Sequence, residues 1–168
     1  MVYQKEQTFL FEDDGQFPNN PKLPLLLYPQ VMDNPEKVEN LLHSHNWTNS
    51  WTGGVFDFHH FHSNTHEVLA VLRGKAAIIF GGKCGLKLRV AAGDVVIIPA
   101  GVSHKNAGSS DDFAVMGAYP NGFNYDLKTG KPEEHDENLK RIINVPLPDY
   151  DPIFGTDGPI LDIWHEKY

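Results

Sequence analysis

Apolar residues along this chain fall in short, strand-length runs rich in Val, Ile and Phe, each bounded by Gly, Pro, Asn or Asp. "QTFLFED" and "LPLLLY" read as early strands. Further along, "VFDFHHFH", "EVLAVLR", "AAIIFGG", "GLKLRV", "DVVIIPA" and "DFAVMGAY" follow one another with turn residues between them. Two segments carry a helical period instead. In "DNPEKVENLLHSH", Val38, Leu41 and Leu42 share a face, Asp33 or Asn34 can cap the start, and Pro35 suits the first turn. A weaker helix runs through "DENLKRII", ahead of the Pro-rich exit "NVPLPDYDPIFG". No repeat of domain-building length is visible. Many short strands with little helix predict a β-sandwich or barrel.

Composition narrows the setting. A chain of 168 residues can build one core of ordinary size, and no linker-like run divides it. We therefore expect one domain over residues 1–168. Its barrel core would span about residues 51–120, with the N-terminal strands and helix and the Pro-rich C-terminal segment packed on it. Lys plus Arg is 14 against 22 for Asp plus Glu, giving a formal charge of −8. That balance argues against nucleic acid or an anionic membrane as partner, since either would want a basic face. The lone cysteine, Cys84, excludes an internal disulfide framework and fits a reducing compartment. The start "MVYQKEQTFLF" has no leader-like apolar stretch, and no run reaches membrane-spanning length. These features together predict a cytoplasmic protein.

The candidate chemistry sits in "FHHFHSNTHEVL", which places His59, His60, His62 and His66 in one window and Glu67 directly behind them. If "VFDFHHFH" is a strand, Phe56, Phe58, His60 and His62 point one way, and Val55, Asp57, His59 and Phe61 the other. The same alternation in "HEVLAVL" sets Glu67, Leu69 and Val71 against His66, Val68, Ala70 and Leu72. Two imidazoles and a carboxylate on one side of a strand pair form a partial site for a divalent transition metal (Fe, Mn, Ni, Co or Zn), whereas calcium would want more oxygens. His104 is the candidate last ligand. Pro99 ends the strand "DVVIIP", and Gly101 permits a positive backbone angle in the turn that leads to His104.

Gly54, His60, His62, Glu67 and Gly74 spell G-x5-H-x-H-x4-E-x6-G, and Gly93, Pro99, Gly101 and His104 spell G-x5-P-x-G-x2-H. In these residues the chain resembles the cupin superfamily, whose two signature motifs they match over residues 54–104. The chain as a whole is similar to a functionally uncharacterised group of small single-domain bacterial cupins. The resemblance implies an all-β fold, a double-stranded β-helix or jelly-roll barrel of two antiparallel sheets, with one or two short peripheral helices. It also implies one divalent metal ion bound inside the barrel by His60, His62, Glu67 and His104. The second motif usually ends in Asn four residues past its histidine. Here that position is Gly108, so the supporting hydrogen bond is absent or supplied by Asn106.

Other residues have plainer readings. His43 and His45 lie about 200° apart on a helix, since each residue advances about 100°, and so cannot chelate together. By parity His59 and His66 are supporting or surface residues rather than ligands. Cys84 sits in a turn. Phe56, Phe58, Leu69 and Val71 are expected in the barrel core, those nearest the metal forming an apolar pocket floor. Tyr119 and Asn121 are turn residues that can close the pocket mouth.

A six-coordinate ion with four protein ligands keeps two positions free, which predicts an oxygenase or isomerase acting on a small organic molecule at the metal. The alternative is a non-catalytic cupin that binds or senses a small ligand or a metal. A metal-free epimerase using a barrel histidine as base has no use for an intact ligand set. A homodimer is also expected, because about 50 residues precede the first motif and must bury their apolar groups, and because strands such as "EQTFLFEDD" can extend a sheet across a two-fold axis.

Overall fold

The computed structural model describes residues 5–167, and among them nine strands build two antiparallel sheets. The leader-free reading of "MVYQKEQTFLF" rests partly on residues 1–4, which lie outside the described residues. The larger sheet holds β1 (Gln7–Phe9), β2 (Leu25–Tyr28), β7 (Val95–Ile98), β4 (Glu67–Arg73), β9 (Ala114–Pro120) and β3 (Trp47–Gly53), in that spatial order. The smaller one runs β6 (Leu86–Ala91), β5 (Lys75–Phe80), β8 (His104–Ser109). Sheet facing sheet makes the double-stranded β-helix.

The strands differ in how they bury, and the difference follows from their residues. β2 and β7 are buried at every position. An antiparallel sheet with one wet face would alternate, so unbroken Leu, Val and Ile runs mean that both faces are covered. One face of the large sheet, carrying Leu69, Val71, Val96, Ile98 and Val115, packs against Ile78, Phe80 and Val90 of the small sheet and forms the barrel interior. The other, carrying Val68, Ala70, Val95, Ile97, Met116 and Ala118, packs under Val38 and Leu42 of α1 (Val38–Ser44) and Ile160 and Trp164 of α3 (Pro159–Lys167). The parity deduced for β4 therefore holds. β5 alternates instead, with Ala76, Ile78 and Phe80 inside.

Between β4 and β5 only Gly74 intervenes, at φ 74°. A Cβ there would lie 2.6–2.7 Å from Ser110, Asp112 and Phe113, so glycine alone lets the chain cross between sheets at that corner.

Several expectations are corrected. "VFDFHHFH" is not a strand. The chain bends at Asp57–Phe58, and pairing is limited to isolated bridges of His60 with His104 and Phe61 with Lys128. The bend lifts Phe56 and Phe58 out of the core, leaving them 52% and 41% exposed. Two strands were not foreseen. β8 is the polar "HKNAGS", held as a strand by pairing with β5. β3 is "WTNSWTG", whose register shifts between Thr48 and Trp51 around Asn49 at φ 56°. The helices α1, after a short 3-10 turn at Pro35–Lys37, and α2 (His135–Ile143) fall where their periods placed them, with Asn34 accepting the Glu36 amide as cap. α3, in the Pro-rich exit's wake, was not predicted.

The residues ahead of the first motif bury Phe11, Phe17, Leu25, Leu26, Leu42 and Trp47 within the chain itself. The burial argument for a dimer thus loses its ground. Among the described residues no helix is long and apolar enough to cross a membrane.

Candidate metal centre

Three segments deliver the site. His60 and His104 share a two-way backbone bridge, with His60 N donating to His104 O at 3.2 Å and His104 N to His60 O at 2.9 Å. The turn after β7 is locked to the same segment, because Gly101 N donates to His62 O at 2.8 Å. Gly101 has φ 93°, and a Cβ there would stand 2.4 Å from the Asn19 carbonyl, so this turn requires glycine. Glu67 opens β4 on the interior face, in line with Leu69 and Val71.

The imidazole tautomers follow from their partners. Nδ1 of His60 meets the Phe58 carbonyl at 2.9 Å, Nδ1 of His104 the Val102 carbonyl at 3.2 Å, and Nδ1 of His62 the Asp126 carbonyl. A carbonyl only accepts, so each Nδ1 carries the proton, and in the neutral ring Nε2 is left with its lone pair. Nε2 of His62 and Nε2 of His104 lie 3.5 and 3.4 Å from Glu67 Oε1. Those distances are long for hydrogen bonds, and buried Oε1 has none. Glu67 Oε2 is instead held by the Tyr119 hydroxyl at 2.7 Å, which itself accepts the Trp51 indole N–H at 2.8 Å.

One donor atom each from His62, Glu67 and His104 lies within 4.8 Å of the others. His60 flanks this trio, its ring 4.1 Å from that of His104 and 6.4 Å from that of His62. All four residues are only 2–7% exposed. Two nitrogen lone pairs aimed at a carboxylate oxygen repel unless a proton or a metal ion lies between them. The mixed nitrogen and oxygen donors suit a divalent transition ion, and the unpaired Oε1 supplies the place for one.

The electrostatics state the same tension in protons. Burial would push the Glu67 carboxyl up, but the facing His62 and His104 hold it well below the usual carboxylate range. Burial pulls His62 down, yet the charge of Glu67, with Asp126 behind it, leaves His62 raised. His60, desolvated and beside His104, is pushed down to about 3. Burial and the Glu67 charge raise the Tyr119 hydroxyl far above its ordinary value, so it remains a donor. Without an ion, a proton on His62 answers the Glu67 charge.

The remaining candidates are engaged elsewhere. His59 lies against Phe17, at 5.4 Å between rings, away from the cavity. His66 is buried on the opposite face, accepting the Ala100 amide at Nδ1 and donating from Nε2 to the Pro146 carbonyl, with its pKa lowered by burial to about 4. His43 contacts Ser50, His45 the Pro152 carbonyl, and Cys84 is exposed. Asn106 closes a turn onto the Gly108 amide, and its own amide donates to Phe56 O, so it holds the segment ahead of His60.

Sequence reasoning gave Tyr119 only the pocket mouth and missed its bond to Glu67. It had a signal: Tyr119 continues the interior parity of Val115 on β9. Asp126 left no comparable trace. Its carboxylate takes the Ser63 amide and hydroxyl, and its carbonyl orients His62. The residues around it carry Tyr125 and Leu127 over a cavity of about 270 Å³ that ends at the four candidate ligands.

Comparison with known proteins gives consistent relatives. Residues 42–116 match the family described as Cupin domain. The uncharacterised protein YjlB of Bacillus subtilis (strain 168) is 50% identical over 161 residues, covering 96% of this chain and 98% of that one. Among solved structures, the WlaRB TDP-quinovose 3,4-ketoisomerase of Campylobacter jejuni is 20% identical with a TM-score of 0.41, over 55% of this chain and 75% of that one. An uncharacterised conserved protein with a double-stranded beta-helix domain from Klebsiella pneumoniae is 22% identical with a TM-score of 0.39, over 51% and 75%.

Proposed function

The chain belongs to the cupin family, and on that footing we propose that it holds one divalent transition metal through His60, His62, Glu67 and His104 and acts, as an oxygenase or isomerase, on a small organic molecule bound at that ion. The observation that carries this reading is the unpaired Glu67 Oε1 facing two imidazole nitrogens whose protons are committed to backbone carbonyls. Such a set is preorganised for a cation, and each donor is held by a partner outside the site. A bound ion would supply Lewis-acid polarisation of an oxygen-bearing substrate.

The chain's own residues do the rest. The Phe58, Asp126 and Val102 carbonyls fix the three rings, Tyr119 fixes the carboxylate, and Trp51, Leu69 and Tyr119 keep bulk water from the inner end of the cavity. A second reading, binding without turnover, also has an observation in its favour. Among the described residues the lining offers no Lys, no Arg and no carboxylate besides Glu67. With the candidate ligands on the ion and the Tyr119 hydroxyl committed to Glu67, protein acid–base chemistry would fall to Tyr125.

Elemental analysis tests the ligand set. After reconstitution the wild type should hold about one ion per chain, His104→Ala should hold none, and His59→Ala should match wild type. Wild type free of metal after exposure to each divalent ion would end the reading. With Co(II) bound, a spectrum that shifts on adding azide supports an open position and the enzyme reading. An intense tetrahedral spectrum indifferent to azide favours binding alone.

A further inference from the structure

Resting on the metal reading, we infer that the cavity selects a small molecule with a singly charged metal-binding head and an uncharged, planar apolar body, and that it rejects phosphorylated or doubly anionic compounds. Charge sets the first half. A divalent ion with the Glu67 carboxylate and neutral imidazoles leaves one positive charge, and among the described residues no other lining side chain is charged. Lys83 and Lys105 act on His59, which does not line the cavity. A monoanionic head therefore balances the site, whereas a second negative charge on the body would meet apolar walls and no lining cation to answer it.

Shape and depth set the second half. Apart from the Tyr125 hydroxyl, the polar side chains of the lining, His60, His62, Glu67, His104 and Tyr119, lie at the buried end. At the mouth stand Phe56, Tyr125 and Leu127, exposed by 52%, 46% and 46%. Large apolar side chains clustered around an opening mark a surface that something apolar covers. They are also braced as walls. Phe58 stacks on Phe56 at 5.0 Å and 18°, and Phe56 meets the His60 ring edge at 5.1 Å. Opposite, Tyr125 stacks on Tyr119 at 4.7 Å and lies 4.9 Å from His62. Each wall thus runs from solvent to a candidate ligand. At about 270 Å³ the cavity has room for about nine waters at about 30 Å³ each, the scale of a single substituted ring.

Hydroxamates, which bind metals as monoanions, make the test. Zn(II)-loaded protein, its metal content measured on the same sample, is titrated calorimetrically with acetohydroxamate, benzohydroxamate and a benzohydroxamate bearing a ring phosphate. Benzohydroxamate should bind at least about tenfold tighter than acetohydroxamate, and the phosphate should cost at least about tenfold. Phe56→Ala and Leu127→Ala, both at exposed positions, should narrow the ring preference while leaving the zinc content unchanged. Equal binding of the two simple hydroxamates, tightest binding of the phosphorylated one, or a ring preference untouched by both variants overturns the inference while leaving the metal reading intact. A protein that takes up no zinc overturns both, and the metal analysis reads that out separately.

Discussion

Glu67 is the residue on which the site turns, and Tyr119 decides how it is presented. The Tyr119 hydroxyl donates to Oε2, so Oε1 is the oxygen turned toward His62 and His104. Tyr119→Phe frees the carboxylate to rotate and strands the Trp51 N–H, and competition with a chelator should show metal affinity lower by roughly 10- to 100-fold. Unchanged affinity would mean that the hydroxyl does not orient the ligand. The protons make a second prediction. Because His62 is raised by Glu67, part of it is protonated near neutral pH, and an ion must displace that proton. Affinity should therefore fall as pH drops through the raised value of His62. His60, held at about 3, carries no second ring proton to lose near neutrality. Calorimetry in buffers of different ionisation enthalpy should detect proton release of up to about one per ion near pH 7. Heats independent of buffer would contradict it.

At the scale of elements, β4 is the hinge between stability and site, because it serves both faces of the large sheet. Glu67, Leu69 and Val71 look into the barrel, while Val68 and Ala70 pack under α1 and α3. The outer face depends heavily on Trp164, which is fully buried, donates to the Pro24 carbonyl at 2.8 Å and lies 4.7 Å from the His66 ring. Trp164→Ala should lower stability in urea by about 3–5 kcal/mol. The cavity it opens lies on the far side of the sheet from the ligands, so metal content in the cold should match wild type. Lost metal with unchanged stability would reverse that division of labour.

For the molecule as a whole, the core does not include the site. Both large apolar clusters close through Leu, Val, Ile and aromatic side chains, while Glu67 and His104 stand at the first residues of β4 and β8. Metal binding should therefore add stability by mass action rather than create the fold. In chelator, circular dichroism should retain the β-sheet spectrum, with a melting temperature below that of the loaded protein. Unfolding on chelation would show that the ion is structural.

Two-residue alternation and turn spacing made a β-sandwich or barrel legible and grouped His60 and His62, because spacing and alternation are local properties of the chain. The resemblance carried by the two motifs added the cupin form and the set of four candidate ligands. Parity put His60 beside His62 and Glu67 with Leu69 even though the supposed strand at residues 55–62 does not exist, since an extended segment alternates whether or not it is paired. Only the tertiary structure decided the rest. The polar β8 is a strand because β5 pairs with it, and Phe56 stands at the cavity mouth with Phe58 stacked on it because the chain bends at Asp57–Phe58. Tyr119 and Asp126 support the site through bonds that span 52 and 64 residues. Alternation places Tyr119 inside the barrel, but no local pattern encodes which distant residue it or Asp126 meets. Such contacts arise when the sheets close and bring distant positions within hydrogen-bond reach.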